Sequence, residues 1–563
     1  MMPETKHSKL SIMAFQFSYD INPAYAMRAA YYSMEFAIAQ PLKIYSGGLG
    51  FLAGSHMRSA YDLKQAVVGV GMLWKYGYYD QSRHEDGSLN PVWTEKTNNF
   101  LVDSGVTVRF KAFGKDVFAK AWLLPSEVFG SAPMVLMSTD VPENDAMTRA
   151  VTNKLYDDNK IVRTLQYMTL GIGGSMALEA LGYAPEVYHM NEAHALPMAF
   201  YLLDKYNSDL EAVRSRLIFT THTPEDAGNE RSDFNLIAES GFLCGVSHNY
   251  ARSLGIDQHG MFNYTLAGLR MARKANGVSK IHGKLSNEMW NGFAGVPEIT
   301  SITNAQNKLY WADKPLEAAR IADDATALVE RKRQLKANLF EVVADQTGKV
   351  FEPDVLTMVW ARRFAGYKRA NILFRRMERL NKLATRKDMP LQMIWAGKPY
   401  PLDREAIGVF NELHYTSKPM TRCATLVGYE LGLSKLLKQG SDLWLNTPRF
   451  SREASGTSGM TAAMNGSINF SIADGWVAEF GEHKKNSFVI PHLDPATATN
   501  TIDDHDIDHL YDILEYEIVP MYYNRPGDWW KMVMQNMADV SPFFDADRMA
   551  DEYYEVMYKG TGK

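Results

Sequence analysis

Short apolar runs and amphipathic stretches alternate along much of this chain. The apolar runs are bounded by turn residues, as in YYSMEF (31–36), RLIFT (216–220) and LQMIWAG (391–397). Runs of this length are typical of buried strands, and the stretches between them carry apolar residues at helical spacing. Strands that alternate with helices favour an α/β fold with parallel sheets.

The second half of the chain contains one clear βαβ pattern. The strand-like TMVWA (357–361) precedes LQMIWAG, and the segment between them has apolar residues at helical spacing: Leu373, Met377, Leu380 and Ala384. Two further strand-like runs, DLWLN (442–446) and SINFSIADG (467–475), flank a turn rich in Gly and Ser. Beyond residue 507 the sequence is helical and rich in aromatic residues, which we expect to pack into a core rather than to bind a ligand.

Length and composition exclude several classes of protein. A chain of 563 residues is too long for one ordinary domain, and 46% hydrophobic with 22% charged residues is typical of globular proteins. The formal charge of -5 gives no electrostatic reason to expect nucleic acid or a membrane as a partner. Cys244 and Cys423 lack the spacing of metal ligands, so we expect no metal site. Without a signal peptide or a long apolar run, the expected location is cytoplasmic.

The turn YSGGLGFLAG (45–54) is a candidate binding loop. Gly47 and Gly48 allow the backbone to approach a ligand closely, and N–H groups at a helix start suit phosphate or sugar oxygens. The same glycines could equally serve a tight turn, so the motif alone decides nothing.

A basic segment, RRFAGYKR (362–369), follows the strand-like TMVWA. Arg363 and Lys368 lie five positions apart across a strand-to-helix turn, where both cations could contact one phosphate. A solvated basic surface is the alternative. The position favours a site, because ligands of doubly wound sheets bind beyond the carboxyl ends of the strands.

Two further loops follow predicted strands. FTTHTPEDAGNE (219–230) presents His222, although a lone histidine is usually structural. SREASGTSGM (451–460) combines Glu453 with a turn rich in hydrogen-bond donors: Ser455, Gly456, Thr457 and Ser458. A carboxylate beside a nest of backbone N–H groups suits a sugar hydroxyl next to a phosphate.

These segments occur in one order together with VYHMNEAHA (187–195), NGVSKIHG (276–283), ITN (302–304) and AGK (396–398). In that order they resemble the α-glucan phosphorylases, particularly the shorter prokaryotic type. The resemblance implies a GT-B fold, in which two Rossmann-like, doubly wound lobes face each other across a cleft. It predicts an N-terminal lobe at 1–302, a C-terminal, phosphate-binding lobe at 303–535, and a helix at 536–563 that packs back on the first lobe.

The resemblance also implies a role for individual residues. The residues expected to take part in catalysis are His222, Arg363, Lys368 and Glu453. Those expected to bind phosphate or nucleotide are Gly47, Gly48, Arg362, Arg363, Lys368, Gly456, Thr457 and Ser458. Those expected to bind the sugar are Leu49, His222, Asn304, Glu453, Ser455 and Gly456.

Two positions depart from the family pattern. The family has a lysine after the EASGT turn that binds pyridoxal phosphate covalently, whereas this chain has Thr461, which has no amine. No other lysine lies between Lys438 and Lys484, so we expect no covalently bound pyridoxal phosphate. The residues after Asn304 are Ala-Gln-Asn rather than the usual Gly-Val-His, so the family's recognition of the sugar or the acceptor is not carried over at these positions.

The basic pair and the glycine-rich turn nevertheless predict a pocket for two adjacent phosphates, which a nucleoside diphosphate supplies. Glycogen synthases share the two-lobe architecture and use a similar Arg and Lys pair on a nucleotide sugar. The favoured prediction is therefore a retaining hexosyltransferase with a nucleotide sugar as donor and a carbohydrate or small hydroxyl compound as acceptor. A phosphorylase that uses phosphate and a non-catalytic glucan-binding protein are the alternatives. A homodimer is possible on frequency alone.

Overall fold

Two large and mostly parallel β-sheets organise the computed structural model, which describes residues 15–559. The strands, in chain order, are β1 (Ala29–Tyr32), β2 (Val67–Met72), β3 (Asp80–Arg83), β4 (Leu89–Val92), β5 (Val102–Ala112), β6 (Lys115–Leu124), β7 (Met134–Ser138), β8 (Val187–Asn191), β9 (Leu217–Thr220), β10 (Arg231–Ser232), β11 (Phe262–Asn263), β12 (Lys274–Gly277), β13 (Ile299–Ser301), β14 (Leu356–Ala361), β15 (Leu391–Ala396), β16 (Cys423–Leu426), β17 (Leu443–Asn446), β18 (Ile468–Ile472) and β19 (Ser487–Ile490).

The first sheet has the order β13-β12-β9-β8-β1-β2-β7-β6-β5. Its strands from β13 to β7 are parallel, and β6 and β5 form an antiparallel extension. The second sheet has the order β16-β15-β14-β17-β18-β19 and is parallel throughout. The predicted α/β class with parallel sheets is thus confirmed, and the two sheets are consistent with the two-lobed fold that the resemblance implies.

Helices cover the faces of both sheets. In chain order they are α1 (Gly48–Asp62), α2 (Ser126–Phe129), α3 (Ala146–Arg149), α4 (Lys160–Met168), α5 (Gly174–Ala180), α6 (Leu196–Lys205), α7 (Leu210–Arg214), α8 (Phe234–Ser240), α9 (His248–Gly255), α10 (Tyr264–Met271), α11 (Lys280–Trp290), α12 (Lys308–Trp311), α13 (Lys314–Ile321), α14 (Ala325–Thr347), α15 (Met377–Thr385), α16 (Arg404–Ser417), α17 (Leu431–Gly440), α18 (Ser458–Met464), α19 (Val477–Phe480), α20 (Thr499–Ile513), α21 (Val519–Asn524), α22 (Pro526–Phe543) and α23 (Ala546–Glu552). Because helices lie on both faces, β14 and β15 are buried at every position and read as continuous apolar runs.

The predicted strand at 31–36 is shorter than its apolar run. β1 ends at Tyr32, and the chain then leaves the sheet. The Ser33 hydroxyl donates to the Glu35 carbonyl at 3.0 Å, and the Glu35 carboxylate accepts the N–H groups of Ser46 and Gly47. These local hydrogen bonds take the place of sheet pairing after Tyr32. The buried Glu35 therefore lies just beyond the end of the strand and not within it.

The C-terminal aromatic residues are only partly core residues. Tyr511 and Trp529 are buried as predicted, but Tyr516 is 73% exposed. Tyr516 lies in a π-helical turn, Leu514–Ile518, that joins α20 to α21. A π-helical turn inserts one residue into the helical repeat. An expectation based on regular α-helical spacing therefore places Tyr516 on the buried face, whereas the inserted residue turns it toward solvent.

The last helical segment packs against the first sheet. Ala546, Met549, Tyr553 and Met557 belong to the same apolar core as strands β1 and β8. Two polar contacts fasten this segment further: the Tyr558 hydroxyl lies 2.8 Å from His189 Nδ1, and Asn276 Nδ2 donates to the Tyr553 hydroxyl at 3.1 Å. The domain limits at 302 and 535 stay predictions.

The lobes also contact each other through the hairpin of β3 and β4. Gln81 donates to the Gly397 carbonyl at 2.8 Å, and its side-chain oxygen accepts the N–H groups of Gly428 and Tyr429. Lys398 donates to the Tyr79 carbonyl at 2.7 Å.

Among the described helices, none combines the length and the apolar character needed to cross a bilayer.

Replacing Tyr558 with Phe tests the attachment of the C-terminal segment. The change removes the partner of a fully buried histidine nitrogen, so we expect the free energy of unfolding to fall by about 1–3 kcal/mol. Thermal unfolding followed by circular dichroism measures the effect. Tyr516→Phe is the matched control, because its hydroxyl is solvated; equal melting temperatures for both variants would contradict the contact.

Candidate active site

In both sheets the strand order reverses near the middle of the sheet. In the second sheet the chain proceeds outward from β14 to β16 on one side and from β17 to β19 on the other. In the first sheet the same reversal lies between β1 and β8. Ligands of doubly wound sheets bind in the crevice at the carboxyl ends of the strands at such a reversal. Arg362 and Arg363 follow β14, Glu35 follows β1 and Glu192 follows β8, so all four lie at these two positions.

Two cations meet one carboxylate at the reversal of the second sheet. Glu453 Oε2 lies 2.6 Å from Lys368 Nζ and 3.2 Å from Arg362 Nη1. Burial raises the pKa of Glu453, but Lys368 and Arg362 outweigh it, and the pKa lies below its ordinary value. Glu453 is therefore an anion. The structure joins Lys368 to Arg362 through Glu453, and the expectation that Arg363 and Lys368 contact one phosphate stays a prediction.

Arg363 lies near this cluster but takes no part in its ion pairs. Its side chain is exposed to solvent and makes no ion pair with a carboxylate of the described residues. Desolvation lowers the pKa of Arg363, but Tyr367, Tyr156 and Glu35 raise it above its ordinary value. Arg363 is thus a permanent cation in the crevice, directed toward groups of the first lobe.

The glycine-rich turn at the start of α1 holds a carboxylate of the protein itself. Glu35 Oε2 accepts the N–H groups of Ser46 at 2.6 Å and Gly47 at 3.1 Å, and the Tyr156 hydroxyl donates to Glu35 Oε1 at 2.7 Å. The N–H of Gly47 therefore already has an anionic acceptor. A Cβ atom at Gly47 or Gly48 would meet no atom within 4 Å, so open space lies on the other side of this turn. Leu49 follows in the first turn of α1 and is half-buried.

Hydrogen bonds from two other segments of the chain hold the turn that carries Glu453. Asp474 accepts the Glu453 N–H at 2.9 Å, and the Trp476 N–H donates to the Ser455 carbonyl at 3.0 Å. Gly475 has a φ of +54°, and a Cβ there would lie 2.4 Å from the Ser455 carbonyl oxygen, so the close approach requires glycine. From the first lobe, Ser279 donates to the Ala454 carbonyl at 2.7 Å.

Asp474 is a functional candidate that the sequence did not reveal. Burial raises its pKa to about 6, and the nearby Glu453 adds to the shift. The sequence SINFSIADG indicates only a strand, and nothing local shows that its aspartate reaches the Glu453 turn.

The remaining donors of this turn adjoin α18. The Ser458 hydroxyl lies 3.4 Å from Arg362 Nη2 and 3.3 Å from Trp444 Nε1. Gly456 has a φ of +80°, and Thr457 precedes the first residue of α18. The predicted residues of 451–460 are thus brought together with Arg362 and Lys368.

His222 lies across the crevice, after β9. Its Nε2 lies 2.7 Å from Asn191 Oδ1, and its main-chain N–H donates to the carboxylate of Glu192. Burial lowers the pKa of His222 to about 3, and the pKa values of His194 and His282 to about 4. Three neutral imidazoles suit hydroxyl groups better than anions. Sequence motifs contained His194, His282 and Glu192, but without a structure no role could be assigned to them.

Several buried polar atoms have no hydrogen-bond partner within residues 15–559. Near the crevice they include Asn304 Oδ1, Ser455 Oγ, Arg362 Nε and His194 Nδ1. Unpaired buried polar atoms are costly, and a ligand with several hydroxyl groups can satisfy them. Gln306 and Asn307, which depart from the family pattern, contact Ser55 and Ser59 of α1 instead, so they fasten the Asn304 loop to the first lobe.

A cavity of about 280 Å³ adjoins the crevice between the loops that follow His222 and precede Glu453. Its lining includes Pro224, Glu225, Phe450 and Arg452. An ion pair of 3.1 Å between Arg452 and Glu225 connects the two loops.

Position 461 does not fit a covalently bound pyridoxal phosphate. Thr461 is fully buried, and its hydroxyl donates to the Ser458 carbonyl at 3.0 Å. The neighbouring helix α17 carries Lys438, which is also buried; its Nζ lies 3.8 Å from the centre of the Trp311 ring. Burial holds the pKa of Lys438 well below its ordinary value.

Comparison with known proteins identifies related chains. A family model described as carbohydrate phosphorylase matches residues 308–491. An uncharacterized protein of Methanocaldococcus jannaschii is 45% identical over 94% of this chain and 99% of its own length. The glycogen phosphorylase of Mycobacterium tuberculosis is 33% identical over 94% of this chain and 70% of its own. The maltodextrin phosphorylase of Thermococcus litoralis is 31% identical over 95% and 71%.

Asp474→Asn tests the support of the Glu453 turn. Because the pKa of Asp474 is raised from 3.8 to about 6, the folded state retains a proton that the unfolded state has released. Wild-type stability should therefore fall, relative to the variant, as the pH rises from about 4 to about 6, by at most about 3 kcal/mol. Melting temperatures across this window measure the difference. Asp345→Asn, at an exposed position, is the control; a pH-independent difference for Asp474→Asn would contradict the shift.

Proposed function

The chain belongs to the carbohydrate phosphorylase family, and from this premise we propose that it is a retaining hexosyltransferase with a nucleoside diphosphate sugar as donor. It transfers the hexose, expected to be glucose, to a carbohydrate or small hydroxyl acceptor. Thr461 makes this activity independent of covalently bound pyridoxal phosphate.

The observation that carries the proposal is the charge distribution at the end of β14. Arg362, Arg363 and Lys368 carry three positive charges, Glu453 neutralises one, and Arg363 makes no ion pair within the described residues. Glu35 is nearby but is held by the N–H groups of the glycine-rich turn. An anion with two adjacent phosphates can contact Arg363 and Lys368 together. A nucleoside diphosphate brings both phosphates with the donor.

The reaction needs stabilisation of the departing diphosphate. As the bond to the sugar breaks, negative charge develops on the phosphate oxygen, and Arg363 and Lys368 stabilise that charge. When the diphosphate contacts Lys368, the Glu453 carboxylate is released to accept a hydrogen bond from a sugar hydroxyl. The acceptor hydroxyl approaches from the same face as the departing diphosphate: its oxygen bonds to the anomeric carbon as the bond to the phosphate oxygen breaks, and its proton passes to that departing oxygen, which retains the configuration.

Neutral groups hold the sugar. The imidazoles of His194, His222 and His282 and the unpaired Asn304 oxygen can bind its hydroxyl groups. The cavity of about 280 Å³ beside Phe450 and Glu225 is the space that we assign to the acceptor.

A second candidate function is phosphorolysis with pyridoxal phosphate, and Lys438 favours it. Burial lowers the pKa of this amine, which favours the neutral form, and Lys438 could supply the amine for a covalent bond to the cofactor aldehyde that Thr461 lacks. Leu437 and Ala462, the residues next to Lys438 and Thr461, share one apolar cluster, so the two helices pack together. Purified protein with an absorbance band of bound cofactor that Lys438→Met abolishes would establish this alternative.

Arg363→Ala tests the role of the unpaired cation. We expect kcat with a nucleotide sugar to fall by about 100-fold to 1000-fold, because one group that stabilises the departing charge is lost. The melting temperature should change little, since the side chain is exposed and makes no ion pair in the described part of the chain. Arg333→Ala, 55% exposed and remote from the crevice, is the control. A variant that loses stability and activity in parallel would contradict the assignment.

A thermal-shift panel of UDP, ADP, GDP and pyridoxal phosphate separates the candidate functions. A ligand that binds only the folded protein at 100 times its Kd adds about 2.7 kcal/mol of stability. We expect one nucleotide to raise the melting temperature, and Arg363→Ala to reduce that rise. Stabilisation by pyridoxal phosphate alone, with oligosaccharide cleavage by inorganic phosphate, would refute the nucleotide-sugar proposal.

A further inference from the structure

Glu192 has a backbone conformation that side chains rarely adopt. It follows the last residue of β8, at the strand reversal of the first sheet, with a φ of +71° and a ψ of 170°. This combination lies in a region occupied almost entirely by glycine, and a residue with a side chain pays for it in strain. Such strain persists only where the surrounding structure imposes it, and it is concentrated at functional sites.

The Glu192 carboxylate holds the main chain of the opposite loop. It is buried, and it accepts the His222 N–H and the Thr223 hydroxyl, the latter at 3.2 Å. The preceding residue, Asn191, contacts His222 Nε2 at 2.7 Å. Two consecutive residues therefore fix both the peptide and the imidazole of His222.

Stability alone does not explain this residue. Burial raises the pKa of Glu192, and the carboxylate forms no ion pair with a Lys or Arg of residues 15–559. A buried carboxylate without a cation is costly, and the backbone strain adds to that cost. The structural effect that both costs accompany is the orientation of His222 by the Glu192 carboxylate.

We propose that Glu192 is a positioning residue for sugar transfer: its carboxylate fixes the His222 peptide on the sugar side of the crevice. This inference rests on the proposed function only in taking His222 as a group that faces the sugar. The preorganised loop then binds the sugar without a further ordering cost in the reaction.

Three substitutions at Glu192 distinguish the effect of losing the carboxylate from the effect of the backbone strain. Glu192→Ala and Glu192→Gly both remove the carboxylate, but only glycine tolerates the backbone angles. We expect Glu192→Gly to melt a few degrees higher than Glu192→Ala. Both variants should lose at least about tenfold in kcat with less change in KM. Glu192→Gln keeps an oxygen that can accept the His222 N–H, so it should recover most of the activity.

Hydrogen exchange of the His222 and Thr223 amides is the second readout, and it needs no sugar donor. We expect faster exchange in the Ala and Gly variants and near wild-type exchange in the Gln variant. Asp323→Gly is the matched control, because Asp323 also has a positive φ but is exposed and remote from the crevice; it should leave kcat and this exchange unchanged.

The outcomes are distinguishable from those of the proposed function. Unchanged exchange at His222 in Glu192→Ala, or kcat within twofold of wild type, overturns the positioning role. Wild-type protein that transfers no sugar from any nucleotide donor refutes the proposed function instead, and the exchange measurement still decides whether Glu192 holds His222.

Discussion

The contact of Glu453 with Lys368 and Arg362 joins the two halves of the second-lobe crevice. The cations come from the loop after β14, and the carboxylate comes from the loop after β17, the two strands between which the sheet order reverses. A buried carboxylate needs compensation, and two cations within 3.2 Å provide it. The same contact region brings Ser458, at the start of α18, to Arg362.

The first lobe uses carboxylates in a different way. Glu35 and Glu192 also follow central strands, but backbone N–H groups rather than cations stabilise them. Burial raises the pKa of Glu192, and no Lys or Arg of the described residues forms an ion pair with it. The cations of the crevice thus lie on the second-lobe side, and Arg363 lies near Glu35 and Tyr156 of the first lobe. A ligand with a neutral sugar and an anionic leaving group matches this placement of the cations.

In place of the lysine that the family resemblance implies, this chain has a threonine. Thr461 fills its buried position and bonds back to Ser458, as a threonine in a helix commonly does. Lys438, on the adjacent helix, keeps an amine in the same region, over the ring of Trp311. The two helices pack together through Leu437 and Ala462, a contact that the separation of these residues along the sequence does not reveal.

The sequence by itself determined the α/β class, the parallel strands, the loops that carry the site and the absence of an amine at position 461. These follow from local patterns, because strand and helix periodicity and the residues after each strand are properties of short segments. Only the tertiary structure decided that Lys368 pairs with Arg362 through Glu453, that Glu35 contacts Gly47, and that Asp474 and Glu192 support distant loops. Each of these contacts joins residues from different strand ends, so it exists only once the strand order is set, and no local pattern encodes that order.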